Sequence, residues 1–543
     1  MTRMRFGALL SLLLATAVLY GLLVLPNRPS ALQFATLQRV PLELPVLLGT
    51  MLVLSAYPRL SRAVLLVLVI ALTATILLKA ADFATYEAFY RPFNLVIDRP
   101  LIPAGLNLLT GALGQVAAVG LVVFAGLVVL FIGWSAWWAL ARWTAVSLPR
   151  SGRWSAGAIA AIFAAWAVAD TGHVLQYWKL PSNPPGTALT SRLAYVHVNR
   201  TRTASQNLAV YRSAALYDAW GQAPGVLDLL DGRDVLIIFL ESYGRTSFDN
   251  PLYAPTHLPR LQEAETALAT EGLAMRSLWL TSPIQGGQSW LAHGTLASGL
   301  RTSDHARYRA MVASPRKTLF HFAQEAGYRT GAVKPAITMA WPEGPALGFE
   351  TILTAEHLDY AGAPFNWVTM PDQYTLAAYP AQLGDDPRPD FLQITLISSH
   401  APWTPVPWKI DWASIGDGRI FDGMAASGET PREVWKNRDK VRDHYRRSVD
   451  YALDVTFSFV ARQAGPDAPL IIVVGDHQPA PSISQIDSMD VPMHLIGPPE
   501  ILSRLDGWGA APGLVPGANT PVWPMEDFRD RFLAAFTSDP GPS

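Results

Sequence analysis

Cysteine is absent from the 543 residues. That excludes disulfides, a zinc ribbon and a thiol nucleophile. It is compatible with an oxidising compartment without fixing one. Charge is scarce as well: Asp, Glu, Lys and Arg make up 16% of the chain, against about 25% in a typical soluble protein. Half of the residues are apolar. This composition excludes an ordinary cytosolic enzyme and a disordered chain. The formal net charge is −1, so there is no basic excess of the kind that marks a nucleic-acid partner. No internal repeat and no low-complexity tract is visible. Lysine is rare beside arginine, and Ala and Pro are abundant, as in proteins of GC-rich bacterial genomes.

What is present is divided unevenly. Residues 1–170 hold 12 Lys/Arg and 5 Asp/Glu; the remaining 373 hold 30 and 38. The first part is as apolar as a membrane domain and the second reads as globular. Gly7–Leu25 is a run of 19 uncharged residues behind Arg3 and Arg5, long enough for the roughly 30 Å hydrocarbon core. A cleaved signal peptide has an apolar region of only about 7–15 residues. This run is longer, and further apolar segments follow it. Additional spans are expected at Glu43–Tyr57, Ala63–Leu78, Leu113–Leu140 and Trp154–Ala169. Pro100–Ala141 is free of charge over 42 residues, too long for one span, so its first part is expected at the interface. Tyr86, Phe89, Tyr90, Phe93 and Asn94 before it fit a membrane-surface segment.

Five spans put the two ends of the chain on opposite sides. Arg3, Arg5, Arg59, Arg62, Arg142, Arg150 and Arg153 are then cytoplasmic, and Arg28, Arg39, Lys79, Arg91 and Arg99 outside. The bias is mild and of the expected sign. It places the C-terminal part outside the cytoplasm of a bacterial inner membrane. The expected organisation is a membrane domain over 1–170, a connecting segment over 171–232 with a helix at Thr203–Tyr217, and a globular domain over 233–543.

The globular part contains three short continuous apolar runs, the mark of strands buried on both faces. Val235–Leu240 runs into Glu241 and Ser242. Phe391–Ile397 runs into Ser398, Ser399 and His400. Leu470–Val474 runs into Gly475, Asp476 and His477. Helical stretches such as Leu319–Ala326 and Arg442–Ala461 lie between. Alternating strands and helices imply a mostly parallel sheet covered on both faces, and ligands gather beyond the carboxyl ends of such strands. Taken singly, Glu241 and Asp476 could serve turns and His400 could bridge backbone groups. Three runs ending in metal- or proton-handling groups at one edge define a site. A fourth segment is Gly286-Gly287-Gln288-Ser289, opening a helix expected at Ser289–Ser298. Ser289 alone reads first as an N-cap. The same geometry offers free N–H groups to an anion, and a serine hydroxyl held there by a metal can ionise and attack.

These segments, in this order, resemble the membrane-anchored branch of the alkaline phosphatase superfamily, with its sulfatase-like fold. The pattern over residues 234–500 is similar to that of lipoteichoic acid synthase and the phosphoglycerol transferases. The resemblance implies an α-helical membrane domain followed by an α/β sulfatase-like domain outside the cytoplasm. It implies Glu241, Ser289, Asp476 and His477 as ligands of one divalent metal, with Ser289 also the nucleophile. It implies His400 as a substrate-binding histidine, and Lys334 and Trp341 in the head-group segment. The family usually has histidine at the position of Lys334, arginine at that of Glu343 and threonine at that of Ser289. Met370-Pro371-Asp372-Gln373 matches a further family segment, read as structural. Sulfate-ester chemistry is disfavoured, because Ser282-Pro283-Ile284-Gln285 does not fit the C/S-x-P-x-R motif that yields formylglycine. Phosphoethanolamine transferases share the fold but often carry disulfides, which this chain cannot form.

The expected reaction is a two-step transfer of a phospho-head group, of phosphoglycerol or phosphoethanolamine type. The donor is a membrane phospholipid, and the acceptor a glycan or lipid hydroxyl. Arg245 and Lys334 would face the phosphate; Trp341 would stack on the head group or simply pack. Mostly oxygen ligation suits Mn²⁺ first, then Mg²⁺, with Zn²⁺ admitted by the histidine. A second metal at His494 competes with its reading as a buried strand histidine. The alternatives are a hydrolase with water as acceptor and a non-catalytic lipid-binding regulator. A transporter is disfavoured because the spans hold few buried charges. The sequence carries no sign of the oligomeric state.

Overall fold

The computed structural model describes residues 6–539 apart from 90, 100–101, 103–104, 107–109, 111–113, 183 and 518. Arg3, Arg5 and Tyr90, together with Leu113 at the start of one expected span, lie outside the described residues. The chain divides into two compact units, Met1–Asn207 and Leu208–Ser543.

The first unit is helical and reads as membrane-spanning. Four helices are long and apolar enough to cross a bilayer: Phe6–Val24, Pro58–Glu87, Gln115–Thr144 and Arg150–Val174. They cover four of the expected spans. The fifth expected span holds the 12-residue helix Glu43–Leu54, which at 1.5 Å per residue is about 18 Å long. It packs on Arg150–Val174 through small residues. A Cβ added at Gly49 would lie 2.7 Å from the Ala156 carbonyl oxygen and 2.8 Å from the Ala160 Cβ. Such close approach is how helices associate without a hydrophobic driving force. Beyond the helix Pro58–Glu87 the chain is pinned by buried carboxylates. Asp82 accepts from the Phe93 N–H at 2.9 Å, and Asp98 accepts from the Asn94 N–H and the Arg91 guanidinium. The helix expected at Thr203–Tyr217 is longer and begins earlier, at Thr190–Ala215.

In the second unit the described residues form a nine-stranded sheet. Its strands are β1 (Val235–Leu240), β2 (Ala274–Thr281), β3 (Arg329–Lys334), β4 (Thr351–Thr354), β5 (Asp390–Leu396), β6 (Leu470–Gly475), β7 (Asp490–Gly497), β8 (Ala511–Pro512) and β9 (Val522–Pro524). The order is β4-β3-β5-β1-β6-β7-β2-β8, with β9 on β2. The five strands from β4 to β6 are parallel; β7 runs antiparallel to both β6 and β2. The mostly parallel sheet is therefore as expected. β1 and β6 are buried at every residue, because helices cover both faces and leave no solvent side for an alternating pattern. Alternate residues of β1 accordingly feed two cores, Ile237 and Phe239 one, Ile238 and Leu240 the other.

Register aligns the strand ends. Leu240 sits opposite Leu396 on one side and Gly475 on the other. The residues that follow these strands thus emerge side by side. Val333 pairs with Ile394, so Lys334 at the end of β3 stands level with Thr395.

Candidate active site

Glu241, Asp476 and His477 are buried together at this edge, with one ligand atom of each within 4.8 Å of the others. Glu241 Oε1 lies 3.2 Å from His477 Nε2. The His477 Nδ1–H donates to the Gln478 carbonyl at 2.8 Å, which orients the ring with Nε2 toward the cluster. Asp476 Oδ1 accepts from the N–H groups of Ser242 and His477 at 2.8 and 2.6 Å. Its Oδ2 is buried without a hydrogen-bond partner, a costly state for a carboxylate oxygen. Burial and the charge of Glu241 raise the Asp476 carboxyl to about 8. Burial opposes charge on His477 also, but Asp476 and Glu241 outweigh it and raise the imidazole to about 9. Burial works against ionisation of Glu241, yet contact with His477 holds it well below the usual carboxylate range. Two carboxylates, one of them with an orphaned oxygen, and one imidazole nitrogen at full burial fit a divalent cation.

Ser289 completes the cluster. Its hydroxyl donates to Glu241 Oε2 at 2.7 Å and lies 3.4 Å from His477 Nε2. The helix Ser289–Ser298 starts where the spacing predicts, but the N-cap reading of Ser289 is corrected. Gln288 precedes the helix in the left-handed region at φ 67°, and Ser289 is its first residue. Its oxygen is turned to Glu241 instead of to the helix N–H groups. Gly287 at φ 137° supplies a conformation that L side chains rarely adopt. The Gly286 N–H donates to the Gln478 carbonyl at 2.9 Å, which ties this loop to the one carrying Asp476 and His477. On β6, a Cβ added at Gly475 would lie 1.8 Å from the Tyr243 carbonyl oxygen, so glycine is required for the two loops to close on each other.

The cluster opens into a cavity of about 490 Å³ lined by Ser289, Lys334, Trp341 and His400 among others. Lys334 is buried, with Nζ donating to Thr395 Oγ1 at 2.8 Å and 3.1 Å from His293 Nδ1. It lies 5.9 Å from the centre of the Trp341 ring. Burial pulls its ammonium down to about 7, against the opposing charge of Asp476. Trp290 and Trp367 are exposed on the same cavity. His400 is exposed at its rim, with Nδ1 2.5 Å from the Ala401 carbonyl oxygen. The turn that presents it is held by Asp372, which accepts from the Ile397 and Ser398 N–H groups at 2.7 and 2.9 Å.

Two candidates fall differently. Arg245 is not among the cavity's lining residues: its guanidinium is held by Asp249 and Asp490 at 2.7 and 3.0 Å and lies over Trp279. His494 hydrogen-bonds through both ring nitrogens, with Ser277 Oγ at 2.8 Å and Tyr243 Oη at 3.1 Å. It is the buried strand histidine, with neither nitrogen left for a second metal. His293 carries no role in the sequence reading, yet it lines the cavity with its Nε2 buried and unpartnered. It lies one helical turn beyond Ser289, and that four-residue spacing was the available signal.

Within the second unit, residues 233–497 match the model of the sulfatase family. No curated protein matches the chain in sequence. Among solved structures it is similar to the integral membrane lipooligosaccharide phosphoethanolamine transferase A of Neisseria meningitidis. There the TM-score is 0.47 at 14% identity, covering 96% of this chain and 95% of the other. It is also similar to the phosphoglycerol transferase GacH of Streptococcus pyogenes in complex with sn-glycerol-1-phosphate, with TM-score 0.38, 14% identity and coverage of 62% and 83%. The lipoteichoic acid synthase LtaP of Listeria monocytogenes gives TM-score 0.37, 12% identity and coverage of 61% and 77%.

Proposed function

We propose that this protein transfers a phospho-head group, of phosphoglycerol or phosphoethanolamine type, from a membrane phospholipid to a glycan or lipid hydroxyl, through a phosphorylated Ser289. The membrane is the bacterial inner membrane, with the sulfatase-like domain outside the cytoplasm. The observation that carries the reading is the position of Ser289, whose Oγ is 2.7 Å from Glu241 Oε2 at the mouth of a cavity backed by Lys334.

Glu241, Asp476, His477 and Ser289 would hold a divalent ion, Mn²⁺ before Mg²⁺ or Zn²⁺. When bound, that ion supplies positive charge that favours the ionised serine and the phosphoryl oxygens. Ser289 Oγ forms a bond to the phosphorus, and the bond from phosphorus to the diacylglycerol oxygen breaks. His400 gives the leaving oxygen a proton and regains, through solvent, the one that Ser289 releases, and diacylglycerol departs. An acceptor hydroxyl then bonds to phosphorus, the Ser289 ester breaks, and the acceptor proton returns to the serine. Lys334 binds the phosphate or the head-group oxygens while it is protonated, and Trp341 covers the head group.

The test is mass spectrometry of the full chain, wild type and Ser289→Ala, incubated with mixed phospholipids and Mn²⁺. A head-group phosphate mass on the Ser289 peptide of the wild type alone is expected, and its size names the donor. Release of free head group with no gain from added glycan would replace the transferase by a hydrolase. Neither adduct nor bound metal would leave a lipid-binding regulator.

A further inference from the structure

The helical unit contains a second cavity, of about 350 Å³. It lies where the helix Phe6–Val24 ends, where Arg150–Val174 ends and where Thr190–Ala215 begins, with Lys79 and Tyr86 of the helix Pro58–Glu87 on its wall. Five cationic side chains line it: Arg28, Arg39, Lys79, Arg192 and Arg200. No carboxylate lines it among the described residues. Lys79 is buried, with Nζ donating to the Leu23 carbonyl at 2.7 Å and to Thr190 Oγ1 at 3.2 Å. Two of its three N–H donors are thus taken by the protein. Arg192 reaches Asp170 at 3.2 Å behind the cavity. Arg28, Arg39 and Arg200 are exposed and form no ion pair with the described residues.

Arg192 is paired with Asp170, but the other four cations repel one another around one cavity unless an anion is there to receive them. Three of them, Arg28, Arg39 and Lys79, are also on the side where positive charge opposes the topology expected of the chain. Between the cations the wall is alkyl, from Leu25, Leu193 and Val196 among others. A cationic centre set in an alkyl wall at the end of membrane helices suits an amphiphile with an anionic head. A basic side chain alone at the bilayer edge can snorkel to water, but that does not gather five of them onto one cavity, one of them buried.

We propose that this cavity is a binding site for the phosphate of an anionic phospholipid. Zwitterionic lipids are poorer occupants, because their own ammonium balances the phosphate and meets the five cations unfavourably. The cavity's lining residues all belong to the first unit and include none of the Ser289 cluster, so the proposal does not depend on the reaction assigned to that cluster.

The test uses the full chain in phosphatidylcholine nanodiscs, titrated with phosphatidylglycerol and, separately, with inorganic phosphate, with thermal midpoint and retained lipid as readouts. Three variants are compared with the wild type: Arg28→Gln/Arg39→Gln/Arg200→Gln, the same three sites changed to Lys, and Arg28→Glu alone. All three sites are exposed, and Arg192 and Lys79 stay in place to preserve the fold. Phosphatidylglycerol is expected to raise the wild-type midpoint. The Gln variant should need roughly a hundredfold more of it, at about fivefold per charge near a membrane surface. The Lys variant should keep most of the response, and Arg28→Glu should weaken it more than fivefold by the same rule. Equal titration of wild type and the Gln variant, or no preference over phosphatidylcholine, overturns the proposal. Protection by inorganic phosphate with no gain from phosphatidylglycerol overturns the lipid as occupant.

Discussion

Lys334 Nζ lies 3.1 Å from His293 Nδ1 in the cavity that Ser289 lines, and both side chains are buried. The pair joins the end of β3 to the helix that Ser289 opens. Burial lowers Lys334 to about 7 and His293 well below its usual value, the latter helped by the lysine charge. Unfolded, the lysine keeps its ordinary value of 10.5. Between about 7 and 10.5 the unfolded chain therefore binds a proton that the folded chain does not, and stability rises with pH across that window. Lys334→Met should remove this rise in thermal midpoint. It should also lower kcat/KM for head-group transfer by about tenfold to a thousandfold, through loss of a charge at the phosphate. Melts at stepped pH and a head-group release assay check the two effects.

Asp476 carries the orphaned oxygen of the cluster. Asp476→Asn removes one anionic ligand while keeping size and shape. Metal content measured by elemental mass spectrometry should fall by about tenfold or more at equal free metal. Stripping the wild type with a chelator should abolish turnover, and a divalent cation added back should restore it. Turnover that survives chelation would sink the metal-dependent reading.

Gly475 has no room for a side chain, its added Cβ falling 1.8 Å from the Tyr243 carbonyl oxygen. Gly475→Ala must push the Ser242–Tyr243 loop from the Asp476 loop. We expect destabilisation of about 1–3 kcal/mol together with a loss of metal, read from melts and metal content.

His494 lies buried between two hydroxyls, and burial lowers it from 6.5 to about 3. Its contribution to stability is complete above pH 6.5 and is lost as pH falls toward 3, because only the unfolded chain takes up the proton. The slope is about 1.4 kcal/mol per pH unit. His494→Gln should flatten this part of the acid-unfolding curve while lowering stability at neutral pH.

Arg245 is spent on Asp249, Asp490 and the Trp279 ring. Arg245→Gln should cost about 1 kcal/mol of stability and leave transfer within about twofold of wild type, a change too small for loss of a phosphate-binding charge. A large drop in kcat/KM with an unchanged midpoint would return Arg245 to the site.

The local record was enough for much of this chain. Strands buried on both faces need continuous apolar runs, so β1, β5 and β6 could be read directly, and with them the polar residues that follow. Long apolar helices and the absence of cysteine marked the membrane unit and limited the chemistry. β3 was not legible: RTGAVK begins and ends in a cation, and its burial comes from pairing with β4 and β5. Nor was the antiparallel turn of β7 between β6 and β2, since period and composition do not encode direction. Whether Ser289 caps its helix or faces Glu241 was settled by Gln288, whose left-handed backbone makes the serine the first helical residue. The fates of Arg245, His293 and His494 depended on partners 4 to 251 residues away in sequence. Sequence determines which residues can ligate, donate or cross a bilayer, because those are properties of side chains and their runs. Only the fold decides which of them meet, because register, burial and charge at a site are set by neighbours that the chain brings back from elsewhere.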